Sequence, residues 1–175
     1  MMMRSISVLV CATVLTAAAP SVAMSDFAAR ILARHNAERA VVGMTPLNWD
    51  VALARDAAVW AQHLAATRTF DHSPDDPKAN PQGENLWMGT SRAYSYEDMV
   101  DGWIEEKRYY RPGLFPKITK TRDWSDVGHY TQLIWYSTTH VGCAMASGNG
   151  SDVLVCRYSP AGNWDGESPT GRELK

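Results

Sequence analysis

The sequence predicts one globular domain of mixed α and β structure, and three observations carry that reading. With 175 residues, 45% of them hydrophobic and 21% charged, the chain matches one ordinary domain and can bury its own core. Helix-like and strand-like hydrophobic periods alternate along it, with no internal repeat and no linker between them. Towards the C-terminus, Asn149-Gly150 separates two apolar runs, the strongest short-range signal for a β-hairpin.

The N-terminal stretch reads as an address. Arg4 precedes a charge-free apolar run from Ile6 to Ala19, followed by Pro20 and Ser21-Val22-Ala23. The run is too short to span a bilayer. Its small residues predict a secretory signal over 1–23, cleaved after Ala23. Val10 before Cys11 argues against a lipid-anchored cysteine. The mature domain is then 24–175, and without Arg4 it has 16 basic residues against 19 acidic. That balance does not suit a nucleic-acid binder. No other segment is apolar enough to cross a membrane, so a secreted or periplasmic, soluble monomer is expected.

Element by element, Asp26 can cap a first helix over about 27–41, with Phe27, Ile31 and His35 on one face and Gly43 as the stop. Asp50 can cap a second over about 51–67, with Leu53, Ala57, Trp60, Ala61 and Leu64 apolar. Residues 73–83, with Pro74, Pro77 and Pro81, predict a polar loop. Leu86–Gly89 predicts a short strand. Ser95-Tyr96-Glu97-Asp98 resembles a capping box that opens a helix reaching about Tyr110. Residues 111–127 read as loop, 128–135 as a short helix, and the chain after Tyr158 as coil.

Strands over Val141–Ala146 and Asp152–Tyr158 flank the Asn149-Gly150 turn. A two-residue turn there pairs residues whose numbers sum to 299, which sets Cys143 directly opposite Cys156. Counted outward from the turn, the pair is non-hydrogen-bonded, where side chains lie closest. An exported chain with these two cysteines predicts a Cys143–Cys156 disulfide.

The motifs fall in a fixed order: His35-Asn36-Ala37-Glu38-Arg39, Phe70-Asp71-His72-Ser73, Gly83-Glu84-Asn85-Leu86, Trp103-Ile104-Glu105-Glu106, Gly128-His129-Tyr130-Thr131-Gln132, and Tyr158-Ser159-Pro160-Ala161-Gly162-Asn163. Together, over about 27–164, they resemble the CAP superfamily of cysteine-rich secretory proteins, antigen 5 and pathogenesis-related protein 1. The resemblance implies an α+β fold, a three-layer α-β-α sandwich, and a cleft built on His72, Glu84, Glu106 and His129. Helical phase supports Glu106 over its neighbour. Glu106 follows Trp103 by three on the buried stripe of Met99, Val100, Trp103 and Tyr110, whereas Glu105 lies about 200° around from Trp103.

Two imidazoles and two carboxylates suit zinc or another divalent metal. In that reading His72 and His129 are the direct ligands, with Glu84 and Glu106 acting through water or as orienters. Without metal, the same four residues form His–Glu hydrogen bonds that serve the fold alone. As catalytic candidates they have no thiol or serine nucleophile beside them: the cysteines are paired, and Gly89-Thr90-Ser91-Arg92-Ala93 lacks the second glycine of a nucleophile elbow. His35 with Asn36 and Arg39 reads as a structural network, His63 as solvated, and His140 as a lone residue before the hairpin. Asn149-Gly150-Ser151 is a glycosylation sequon at the hairpin tip.

The resemblance therefore implies a binding protein before an enzyme, taking a small apolar ligand of lipid or sterol type, or a protein partner. Against a lipid grip, the loop Asp75–Asn80 has no aromatic residue. The alternative is a metal-assisted hydrolase of peptide or cell-wall substrates using the same four residues. No cysteine-rich module is expected after Asn163.

Overall fold

The computed structural model describes residues 24–74 and 81–171. The expected signal over 1–23 and most of the expected polar loop, residues 75–80, lie outside the described residues. Among the described residues, four α-helices enclose a four-stranded sheet whose strands, β1 (Asn48–Trp49), β2 (Gly83–Thr90), β3 (His140–Gly148) and β4 (Ser151–Ser159), lie in the order β1-β3-β4-β2.

Helix α1 spans Asp26–Val41. Its cap is Ser25, whose hydroxyl accepts from Ala28 N at 3.2 Å. Asp26, the expected cap, instead occupies the first turn, where its charge faces the positive end of the helix. Strand β1, Asn48–Trp49, runs parallel to β3. Two residues are too few to leave a periodic signal, and the sequence gives no sign of this strand. Helix α2, Val51–Thr67, is capped by Asp50 as expected.

Strand β2 covers Gly83–Thr90, longer than the expected 86–89 because its polar start pairs fully with β4. The Ser95 capping box opens α3, Tyr96–Ile104. The α-helix does not reach Tyr110: it tightens into a 3₁₀ turn over Glu105–Arg108. The expected loop over 111–127 ends in a second 3₁₀ turn, Trp124–Val127, leading directly into α4, Gly128–Ile134. Strands β3 (His140–Gly148) and β4 (Ser151–Ser159) form the expected hairpin. Asn149 and Gly150 hold the positive φ values, 54° and 84°, that its two-residue turn requires.

The layers follow from strand alternation. On one sheet face Leu86, Val153 and Val155 pack against Ala57, Ala61 and Leu64 of α2. Helix α2 lies so close to β3 that a Cβ on Gly142 would stand 2.3 Å from Ala54 N. On the other face Val141, Cys143, Leu154, Cys156 and Tyr158 meet Ile31 of α1, Met99, Val100 and Trp103 of α3, and Tyr130, Leu133 and Ile134 of α4. This is the three-layer α-β-α sandwich. Cys143 and Cys156 are paired in register and form a disulfide with a Cα–Cα distance of 4.1 Å.

Helices α1 and α3 run side by side in the same direction. Arg30 pairs with Glu97, Arg34 Nε lies 2.5 Å from Asp101 Oδ1, and Lys107 Nζ lies 2.8 Å from Glu38 Oε1. Among the described residues no helix is long and apolar enough to cross a membrane.

Candidate functional site

Two His–Glu pairs sit beside strand β2. The first follows α2. Trp60 of α2 donates from Nε1 to the Asp71 carbonyl at 3.0 Å, which fixes the chain one residue before His72. The His72 Nδ1 then meets Glu84 Oε1 at 2.6 Å, and Ser73 N donates to the same oxygen at 3.0 Å. Glu84 Oε2 faces Arg157 Nη2 at 2.8 Å. That contact lies outside hydrogen-bond geometry, so charge rather than a directed bond compensates the buried oxygen. Arg157 Nη2 also donates to Ser73 Oγ at 2.7 Å. Burial pushes the Glu84 carboxyl up. The His72 hydrogen bond, the Arg157 charge and the Ser73 N–H outweigh it, and the group ends below the usual carboxylate range.

The second pair joins α4 to the turn after α3. The His129 Nδ1 lies 2.6 Å from Glu106 Oε1, while His129 N and Tyr130 N each donate to Glu106 Oε2 at 3.0 Å. These two N–H groups belong to the first turn of α4, whose own N-cap, Val127, offers no side-chain acceptor. Glu106 thus caps a helix to which it does not belong. The Trp103 ring stacks on His129 with centroids 6.1 Å apart and planes 16° from parallel. Glu105 is exposed, and Glu106 is the residue set against His129. The 3₁₀ turn preserves this placement, because three residues per turn return Glu106 to the side of Trp103.

Asn85 connects the pairs. It follows Glu84 on β2 and so points to the opposite sheet face. There its Nδ2 donates to the His129 carbonyl at 3.0 Å and to Tyr158 Oη at 3.1 Å. Tyr158 Oη in turn lies 2.9 Å from His35 Nε2, whose Nδ1 bonds the Ile31 carbonyl at 2.8 Å. Burial drives the His35 pKa down to about 4. The HNxxR motif is therefore a buried network. Asn36 exchanges two hydrogen bonds with the Leu47 backbone, and Arg39 donates to the carbonyls of Thr45, Leu133, Trp135 and Thr138. His63 is exposed, as expected, with its ring stacked on Trp60 at a centroid distance of 4.5 Å, and His140 Nδ1 bonds Thr139 Oγ1 at 2.8 Å.

Among the described residues, no three His, Cys, Asp or Glu side chains cluster closely enough to hold a metal ion. The structure gathers the four predicted residues as two pairs, His72 with Glu84 and His129 with Glu106. The remaining motifs lock α4 to the tail: Thr131 Oγ1 donates to Asn163 Oδ1 at 2.7 Å, and Gly162 N donates to Gln132 Oε1 at 2.8 Å. Sequence reasoning did not single out Arg157. Its signal was the register, since Arg157 stands opposite Glu84 once β2 is paired over its whole length.

The family model for the cysteine-rich secretory protein (CAP) family matches residues 32–158. The chain belongs to this family. It is 39% identical over 137 residues to pathogenesis-related protein 1A of Nicotiana tabacum, covering 77% of this chain and 76% of the relative. It is also 39% identical over 144 residues to cysteine-rich secretory protein 2 of Cavia porcellus, covering 76% of this chain but only 55% of that longer protein. Among solved structures, NaASP2 with Zn2+ superposes at a TM-score of 0.69 and 24% identity, over 89% of this CAP chain and 91% of the other. At that identity the likeness concerns the fold alone.

Proposed function

We propose that this CAP chain is an exported binding module rather than an enzyme, with His72 and His129 as its points of attachment for a divalent metal such as zinc. One observation carries the reading: both carboxylates of the His–Glu pairs are committed to the protein itself. Glu106 accepts from two α4 backbone N–H groups and an imidazole. Glu84 accepts from His72 and Ser73 and faces Arg157. A general base needs a lone pair turned to the substrate, whereas both Glu106 oxygens accept from the chain, and buried Glu84 has one oxygen in two hydrogen bonds and the other set against the Arg157 guanidinium.

The imidazoles differ from the carboxylates. Each has Nδ1 held by a carboxylate, the arrangement that orients metal-binding histidines. Among the described residues, each leaves Nε2 without a hydrogen bond. A free imidazole nitrogen of this kind suits an open, labile attachment completed by water rather than a closed structural site. The disulfide supports export, because such bonds persist in oxidising compartments. A small lipid- or sterol-type molecule, or a protein partner, is the ligand class that follows from the family.

Native mass spectrometry of protein from its own source tests the binding role, with a retained small molecule or metal as the expected result. Calorimetry with zinc at pH 7.5 and 5.5 tests the attachment points. Neutral imidazole is the ligand form, so affinity is lower at pH 5.5, and the double change His72→Ala with His129→Ala abolishes it. Unchanged affinity in the double variant removes these histidines from the reading. Turnover of a peptide or cell-wall substrate that depends on Glu84 or Glu106 overturns the binding role.

A further inference from the structure

Six of the chain's 17 Lys and Arg residues fall within 107–122, a stretch with no Asp or Glu. Lys107 is taken up by Glu38, and Arg30, Arg34 and Arg157 elsewhere are likewise bound to carboxylates. Arg108, Arg111, Lys117, Lys120 and Arg122 are all exposed, and among the described residues none forms an ion pair. In a chain with more acid than base, such local segregation of charge repels itself and favours an anionic partner.

The segment is built to present these charges. Residues 109–111 and 118–120 run antiparallel, with Arg111 N donating to Ile118 O at 2.9 Å and Lys120 N to Tyr109 O at 2.7 Å. On the outside, the Arg108 guanidinium lies 4.8 Å above the Tyr109 ring, and Lys120 Nζ donates to the Arg108 carbonyl at 2.8 Å. Beneath, Ile118 and Phe115 are buried with Trp135. At the closed end, Lys117 N donates to Leu114 O at 2.7 Å, and this turn leaves the Leu114 side chain 45% exposed between Arg111 and Lys117. Acidic groups lie at its edges: Glu105 precedes it, Asp123 accepts from Ser125 N at 2.9 Å, and the tail bonded to Phe115 (Phe115 N to Glu167 O at 2.8 Å, Gly166 N to Phe115 O at 2.9 Å) carries Asp165 and Glu167, whose carboxylate faces Tyr136 Oη at 3.3 Å.

We propose that this loop docks the protein on an anionic lipid surface, with Arg108, Arg111, Lys117 and Lys120 among the headgroups and Leu114 and Tyr109 at the apolar boundary. The exposed leucine at a hydrogen-bonded turn between Arg111 and Lys117 decides between anionic partners. An acidic polysaccharide would use the charges but leave Leu114 in water, whereas a lipid interface uses both. The proposal involves neither His–Glu pair and stands apart from the metal reading.

Sedimentation with phosphatidylcholine vesicles, with and without phosphatidylglycerol, tests it on the purified protein. The expected result is binding to the anionic vesicles only, lost at high salt. Arg111→Glu with Lys117→Glu lowers partitioning about tenfold or more. Leu114→Ser lowers it by a smaller factor, about threefold, with the salt dependence kept. Thermal unfolding that is unchanged in both variants keeps the loss local. Three results overturn the proposal: no binding to anionic vesicles, binding that the double charge reversal leaves intact, or salt-sensitive retention on an acidic polysaccharide without vesicle binding.

Discussion

Replacing Glu106 by alanine isolates what one carboxylate contributes to a helix on another element. Helix α4 has seven residues, far below the length at which a helix is stable alone. The change strands the N–H groups of His129 and Tyr130 and frees the His129 ring. Losing an N-terminal cap costs about 1 kcal/mol, and losing a hydrogen bond to a charged group costs about 2 kcal/mol. Together they give a destabilisation of about 3 kcal/mol. For a domain of this size that is a fall in Tm of about 6–12 °C. Glu106→Gln keeps an oxygen for the backbone donors but turns an amide N–H₂ towards the imidazole, so it should cost about half as much. The exposed neighbour is the control: Glu105→Ala stays within about 0.5 kcal/mol of wild type. Urea unfolding of the three variants at pH 7 measures this directly. If Glu106→Ala matches wild type, or Glu105→Ala costs as much, the cross-element cap is not what holds α4.

Three further outcomes follow from the buried groups. Between its folded pKa of about 4 and its ordinary 6.5, His35 binds a proton only in the unfolded chain. Stability therefore falls by about 3 kcal/mol as pH drops through that window and is flat in this contribution below it, which unfolding midpoints at pH 7, 5.5 and 4 will read. Arg39 is fully buried and satisfies four backbone carbonyls, two of them at the end of α4. Arg39→Ala should cost about 3 kcal/mol or more by leaving those carbonyls unpaired, and a midpoint within about 1 kcal/mol of wild type would show that water replaces the guanidinium at no loss. A thiol assay on the unreduced, unfolded protein after removal of residues 1–23 should find no free thiol, and reducing Cys143–Cys156 should cost about 3 kcal/mol in the chain-entropy view.

Much of the molecule was legible because local chemistry writes itself into short spacings. Asp50 and Ser95 cap where their side chains reach N–H groups two or three residues on. The Asn149-Gly150 turn sets the pairing of every residue in the hairpin, and with it the disulfide. A separation of three from Trp103 places Glu106 on the inner side whether the backbone is α or 3₁₀.

Only the tertiary structure decided the rest. The end of α3 at Ile104, β1 as a strand of two residues, and the full length of β2 all depend on partners far along the chain. Arg157 joins His72 and Glu84 because β2 and β4 align, and no local period reports that alignment. Helix α4 shows the division most clearly. Its sequence marks a short helix, but its two ends are satisfied by Glu106 from the turn after α3 and Arg39 from α1. A backbone group at a helix end must find a partner, and the sequence beside it does not say which distant side chain the fold will bring there.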